Sequence, residues 1–144
     1  MSTDAYSLPP QPAPDPDSEQ FWEATTRGEL ALCRCVECRT WIQPPLERCR
    51  HCAGETRFES VSGGGTIYSF IVVRHPCCPG YLDDLPGLVG LIELDEQTGL
   101  RLTARLVDAE PGQLAIGQRV QAEIVDLPGG EFRVPVFRVV DSAG

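Results

Sequence analysis

Four cysteines, Cys35, Cys38, Cys49 and Cys52, are spaced C-x2-C-x10-C-x2-C within CRCVECRTWIQPPLERCRHC, residues 33–52. Each C-x-x-C pair can fold as a knuckle that turns both sulfurs toward one centre, and two knuckles joined by a hairpin complete a tetrahedral thiolate site. Zinc is the expected ion, one per chain, with iron in a rubredoxin-like site as its chemical rival. Thiolates fill every coordination position, so such a metal is structural and leaves no place for water or substrate. Arg34, Arg39, Arg48 and Arg50 sit beside the ligands and are expected to offset part of the excess negative charge, with backbone amides donating to the sulfurs.

The other thiols read differently. A thioredoxin-type motif needs one C-x-x-C opening a helix after a strand, and two pairs separated by Pro44 and Pro45 do not fit it. Cys33 breaks the pair spacing and is expected to be a small buried apolar side chain. In RHPCCPGYLDDLP, residues 74–86, His75 lies near Cys77 and Cys78, residue types that can act as base and nucleophile. No third group is there to orient them and prolines flank the pair, so an ordinary loop is the reading. The chain has no G-x-S-x-G elbow, no G-x-x-x-x-G-K loop and no paired-histidine metal motif, and no catalytic residue is assigned.

The elements that must position these residues divide the chain into four parts. Residues 1–17, rich in proline and acid, read as a disordered or loosely docked tail. Residues 18–32 hold a short helix over 18–27, capped by Asp17 or Ser18 and closed by Gly28 in a left-handed conformation. Its Phe21 and Trp22 must pack on something, because so short a helix is not stable alone. Residues 33–60 form the ribbon, and residues 61–144 carry five strands: Gly65–Val73, Gly87–Asp95, Leu100–Asp108, Gln118–Leu127 and Phe132–Val140. Gly63–Gly65 precede a strand rather than a helix and so read as a hinge, not a phosphate loop. Five short strands with well-marked turns suit a closed barrel of the OB type better than an open sheet with unpaired edges. Pro135 cannot donate to a ladder and predicts an edge or a bulge in the last strand. The fold class is mainly β: short N-terminal helix, rubredoxin-like zinc ribbon, five-stranded OB barrel.

Composition limits the partners. The 144 residues carry a net charge of -9, and all 12 basic residues are arginine. That balance argues against a nucleic-acid partner, which calls for a basic face. No apolar run approaches the ~20 residues needed to span a bilayer, and the N-terminus lacks the basic and apolar regions of a signal peptide. No membrane association and a cytoplasmic location are expected, and in a reducing cytoplasm the cysteines stay thiols unless a metal holds them.

Ribbon, glycine hinge and barrel, in that order, resemble a known family. FWEATTRGELALCRC, the four-cysteine ribbon, GGGTIYSFIVV, PGYLDDLPGLVGLIELD and VPVFRVV together are similar to the OB-fold, zinc-ribbon acyl-CoA-associated proteins known as domain of unknown function thirty-five, from about Phe21 to Val140. The resemblance implies a non-catalytic partner of a thiolase-superfamily enzyme that helps bind or channel an acyl-CoA, itself a ligand shared with the partner. Relatives accompany thiolases of acetoacetyl-CoA and mevalonate metabolism, phloroglucinol acyltransferases and steroid side-chain aldolases. The chain departs from common relatives at Cys33 and at HPCCPGY, so no role is carried over to those cysteines.

Three functions of different class follow. The first is an accessory subunit, two copies flanking an enzyme dimer, with Phe21, Trp22, Trp41 and Tyr81 as interface candidates and Arg74, His75 and Tyr81 as acyl-CoA contacts. The arginine-only, alanine-, glycine- and proline-rich composition has the flavour of a high-GC bacterium, where steroid side-chain degradation is common. A retro-aldolase partner therefore leads over an acetyl-CoA acetyltransferase, HMG-CoA synthase-type or phloroglucinol acyltransferase partner. The second is an OB protein for single-stranded nucleic acid. The third is a thioester enzyme using Cys77 or Cys78.

Overall fold

The computed structural model describes residues 8–75 and 79–140. Cys77 and Cys78 lie outside the described residues. The helix α1 spans Glu19–Thr26. Its entry turn is set by Asp15 rather than by Asp17 or Ser18: Asp15 Oδ1 accepts from the Ser18 N–H at 2.8 Å and from its hydroxyl at 2.9 Å, and the Asp15 carbonyl accepts from Glu19 N–H. Ser18 makes no side-chain cap of its own. At the other end Gly28, with φ +81°, turns the chain out of the helix as its N–H donates to the Thr25 carbonyl.

The ribbon is a three-stranded antiparallel sheet of β1 (Ala31–Cys35), β2 (Trp41–Ile42) and β3 (Thr56–Ser60), in the order β2-β1-β3. Leu32, Ile42 and the first ligand Cys35 are fully buried, so the sheet packs around its own metal end and against the barrel at once.

The barrel comprises β4 (Gly64–Val73), β5 (Gly87–Leu94), β6 (Arg101–Val107), β7 (Arg119–Asp126) and β8 (Arg133–Val139). It closes in the order β4-β5-β6-β8-β7, the five strands expected from alternation. Strand β5 shows why: along Gly87–Leu94 every second residue, Leu88, Gly90, Ile92 and Leu94, is buried. With Ile67, Leu102, Leu106, Val120 and Phe137 these fill the barrel core. Gly65 lies where β4 crosses closely over β5, and a Cβ there would stand 2.5 Å from the Glu93 carbonyl oxygen.

Closure between β6 and β8 is partial. The two are parallel, and they pair only over Arg105–Val107 and Val136–Arg138. Pro135 stands opposite Ile124 of β7, one step from the hydrogen-bonded alternation set by Leu127 N–H donating to Phe132 C=O. Its nitrogen therefore faces β6, where the ladder begins only at Val136, and the missing N–H costs no bond. Pro135 thus marks a half-open seam in the wall rather than a free edge. Among the described residues no helix is long and apolar enough to cross a membrane.

Candidate metal centre and apolar cavity

The two knuckles are built alike. After Cys38 the chain turns through Arg39 at φ 65°, with its N–H donating to the Cys35 carbonyl; after Cys52 it turns through Ala53 at φ 62°, with its N–H donating to the Cys49 carbonyl. Backbone amides also reach the sulfurs: Cys38 N–H donates to Cys35 Sγ at 3.4 Å and His51 N–H to Cys49 Sγ at 3.3 Å.

All four sulfurs lie within 4.8 Å of one another. Cys35 and Cys52 Sγ are 3.4 Å apart, and Cys38 and Cys49 Sγ 3.7 Å. A tetrahedral zinc with ~2.3 Å bonds to sulfur requires edges of about 3.8 Å, so the donor set fits zinc with minor adjustment. Gly54 keeps the space clear, since a Cβ there would stand 3.1 and 3.2 Å from the Cys35 and Cys52 sulfurs. Hydrogen bonding within the cluster spreads the acidities of the thiols. The Thr40 hydroxyl, 3.2 Å from its sulfur, pulls Cys38 down to about 6. The Gly54 amide favours the Cys52 thiolate, but the adjoining Cys35 sulfur and burial outweigh it and push Cys52 up to about 12. Four sulfurs this close shed all their protons only around positive charge.

The arginines do not all serve the sulfurs as expected. Arg34 and Arg39 both bond Glu59, at 3.1 and 2.8 Å, and Arg34 also lies over the Trp41 ring at 4.5 Å. Arg34 fastens β1 to β3 and Arg39 fastens the first knuckle to β3, because a carboxylate between two guanidiniums is a stronger acceptor than a polarised thiolate. Cys33 is buried, its Sγ 3.5 Å from the Leu46 carbonyl, and takes no part in the four-sulfur cluster.

The aromatic candidates separate. Trp41 is only 4% exposed and belongs to the core, so its side chain is not presented for a partner; its size and its place between ribbon and barrel explain why. Phe21, Trp22 and Tyr81 converge on one cavity of about 560 Å³. Phe21 and Trp22 meet edge to face at 4.9 Å, and Trp22 meets Phe132 likewise at 5.6 Å. Arg74 and His75 are exposed at the end of β4 and do not reach the cavity. Sequence reasoning missed Arg105, which lies over the Tyr81 ring at 4.8 Å and lines the cavity. Nothing in its local sequence distinguishes it from other strand arginines.

Comparison with known proteins bears on the metal centre and on the fold. A family model described as the ChsH2 rubredoxin-like zinc ribbon domain matches residues 22–59, and one described as the ChsH2 C-terminal OB-fold domain matches residues 59–125. A probable enoyl-CoA hydratase alpha subunit of Thermomonospora curvata is 36% identical over 134 residues, 92% of this chain and 40% of that protein. The 3-oxo-4,17-pregnadiene-20-carboxyl-CoA hydratase alpha subunit of Mycobacterium tuberculosis is 30% identical over 118 residues, 82% of this chain and 37% of that one. The chain thus spans about two-fifths of the length of these curated relatives. Among solved structures, a chain of the Ltp2-ChsH2(DUF35) aldolase superposes with a TM-score of 0.81 at 34% identity, covering 90% of this chain and 98% of that one. The zinc-ribbon match and the four-sulfur geometry together support a structural zinc.

Proposed function

From the premise that this chain belongs to the DUF35 family, as a ChsH2-type zinc ribbon joined to an OB barrel, we propose that it is a non-catalytic subunit of a thiolase-like enzyme acting on acyl-CoA. The leading specific reading is the partner of a steroid side-chain retro-aldolase. One observation carries it: the chain superposes over 98% of the length of a chain of the Ltp2-ChsH2(DUF35) aldolase, at 34% identity. The two hydratase subunits, one named for a steroid carboxyl-CoA, point to the same substrate class.

The division of labour follows from the residues. Four thiolates closed around zinc leave no coordination site for a substrate, so the metal holds the ribbon's shape. Cleavage of the carbon–carbon bond then falls to the larger chain. This chain supplies a rigid barrel and an apolar face on which Phe21, Trp22 and Tyr81 converge, and two copies on an enzyme dimer satisfy its two-fold symmetry. The nucleic-acid reading finds little support, because Arg101, Arg105, Arg119, Arg133 and Arg138 of the barrel each pair with a carboxylate.

The test is turnover of a steroid side-chain β-hydroxyacyl-CoA by the thiolase-like chain with and without this protein. Cleavage that depends on stoichiometric addition of this chain supports the reading. Equal cleavage without it contradicts the reading.

A further inference from the structure

We infer that residues 8–12 are a displaceable strap: Gly80 and the Pro128–Gly130 turn form a groove for an extended proline-rich peptide, and this chain fills that groove with its own N-terminal segment. The inference goes beyond the subunit reading above and rests on it only in calling the face beneath the strap a docking face.

The groove is cut by glycines from two loops far apart in sequence. A Cβ at Gly80 would collide with the Pro9 nitrogen and stand 2.6 Å from the Pro9 Cα. One at Gly130 would collide with the Gln11 side-chain oxygen, and one at Gly129 would stand 3.3 Å from both Leu8 Cδ1 and Gln11 Nε2. Gly80 and Gly129 also hold φ of +89° and +95°, where a side chain is strained. Three positions without side chains, one between β4 and β5 and two in the β7–β8 turn, thus face the same short stretch near the start of the chain. Glycine in such places lets another backbone come close.

The segment suits the groove. Pro9, Pro10 and Pro12 fix their φ before docking, so an extended conformation is reached at little entropic cost. Pro9 is buried, although Leu8, Pro10 and Gln11 around it are exposed. Gln11 supplies the polar hold, its Nε2 donating to the Pro128 carbonyl at 2.9 Å. The Asp15–Ser18 turn then ties the segment to helix α1, which keeps it beside the groove when it lifts.

The same features make the hold weak. One buried side chain and, among the described residues, one solvent-exposed hydrogen bond to a distant part of the chain characterise an element that opens locally while the fold stays intact. Tethered a few residues from its groove, the strap is present at an effective concentration of about 1 mM, so a groove with a Kd of about 0.1 mM for the free peptide is filled about nine-tenths of the time.

Lifting the strap has a defined effect. Pro10, Gln11 and Pro12 form one wall of the cavity that Phe21, Trp22, Tyr81 and Leu127 also line. Seated, the strap screens this apolar face on one side; lifted, it opens the face. It is therefore an intramolecular competitor for a partner that docks there.

The test uses this chain alone, so its result is independent of the subunit reading. The zinc-loaded, ¹⁵N-labelled chain beginning at Ala13 is compared with the full-length chain through the indole N–H signals, with Trp22 lining the cavity and Trp41, in the core, as the control. The Trp22 signal should differ between the two chains and the Trp41 signal should coincide. A peptide of residues 8–14 should return the Trp22 signal of the shortened chain toward its full-length position, saturably, with a Kd of about 0.1 mM, and should bind the full-length chain about tenfold more weakly. The full-length variant carrying Pro9→Ala and Gln11→Ala should move the Trp22 signal in the direction of the shortened chain, and it decides the matter if the shortened chain fails to fold. Trp22 signals that coincide in the full-length, shortened and doubly substituted chains overturn the inference. So does a shortened chain unmoved by the peptide up to about 5 mM, or equal peptide affinity in the full-length and shortened chains.

Discussion

The side-chain amide of Gln97 grips both polar groups of the Trp41 backbone: Trp41 N–H donates to Gln97 Oε1 at 2.9 Å, and Gln97 Nε2 donates to the Trp41 carbonyl at 3.1 Å. Trp41 lies on β2, an edge strand of the ribbon, opposite Arg34 in a register position whose polar groups point away from β1. A glutamine in the β5–β6 turn of the barrel thus takes the place of a missing neighbouring strand and fixes the ribbon to the barrel.

Gln97→Ala should cost about 1–3 kcal/mol, because it leaves a backbone donor and acceptor of a buried residue unpaired. Gln97→Glu keeps an acceptor for the Trp41 N–H and should fall between the two. Urea unfolding at neutral pH measures both; wild-type stability in Gln97→Ala would contradict the clamp.

Gly65→Ala should destabilise by about 1–3 kcal/mol, since the new Cβ meets a backbone carbonyl that cannot yield without moving β5. A methyl group at Gly112 would meet nothing within 4 Å, so Gly112→Ala should change stability by less than about 0.5 kcal/mol. Thermal melts of the two variants check the contrast, and equal losses would remove the close crossing of β4 and β5 as their cause.

Asp95 and Arg119 form a two-pronged pair, both bonds 2.7 Å, and the Arg119 hydrogen bonds hold the Asp95 carboxyl below the usual carboxylate range. A carboxyl lowered on folding adds stability above its unfolded-state pKa, and that stability is lost as pH falls through the folded-state value. Asp95→Asn should therefore be less stable than wild type near neutrality, with the gap closing in acid. Urea midpoints at a series of pH values test this. Both proteins share the ribbon, so its own acid sensitivity cancels in the difference, and a gap independent of pH would contradict the pairing.

Much of the fold was legible because its signals are local. Alternation along Leu88, Gly90, Ile92 and Leu94 defines a strand whatever it pairs with, and two C-x-x-C pairs define a ribbon whatever surrounds it. The apolar cavity was not legible, because Leu102, Ala104, Val134 and Pro135 become neighbours only through the parallel pairing of β6 with β8. Trp41 looked like an anchor because a single sequence does not distinguish an aromatic in a core from one on a surface. Arg34 and Arg39 sit beside ligands in sequence, yet their partner, Glu59, arrives from β3. Ser18 holds the N-cap position, but its hydroxyl is turned back to Asp15, because an acid and a serine three residues apart can close a turn before the helix begins.

The subunit reading is tested most directly by recovering the tagged, full-length chain from its native extract at moderate salt, with co-eluting chains identified by mass and zinc measured in the eluate. A thiolase-like chain should come down in near-equal amount, with one zinc per copy of this protein. Zinc-loaded protein eluting with no thiolase-like chain would contradict the reading.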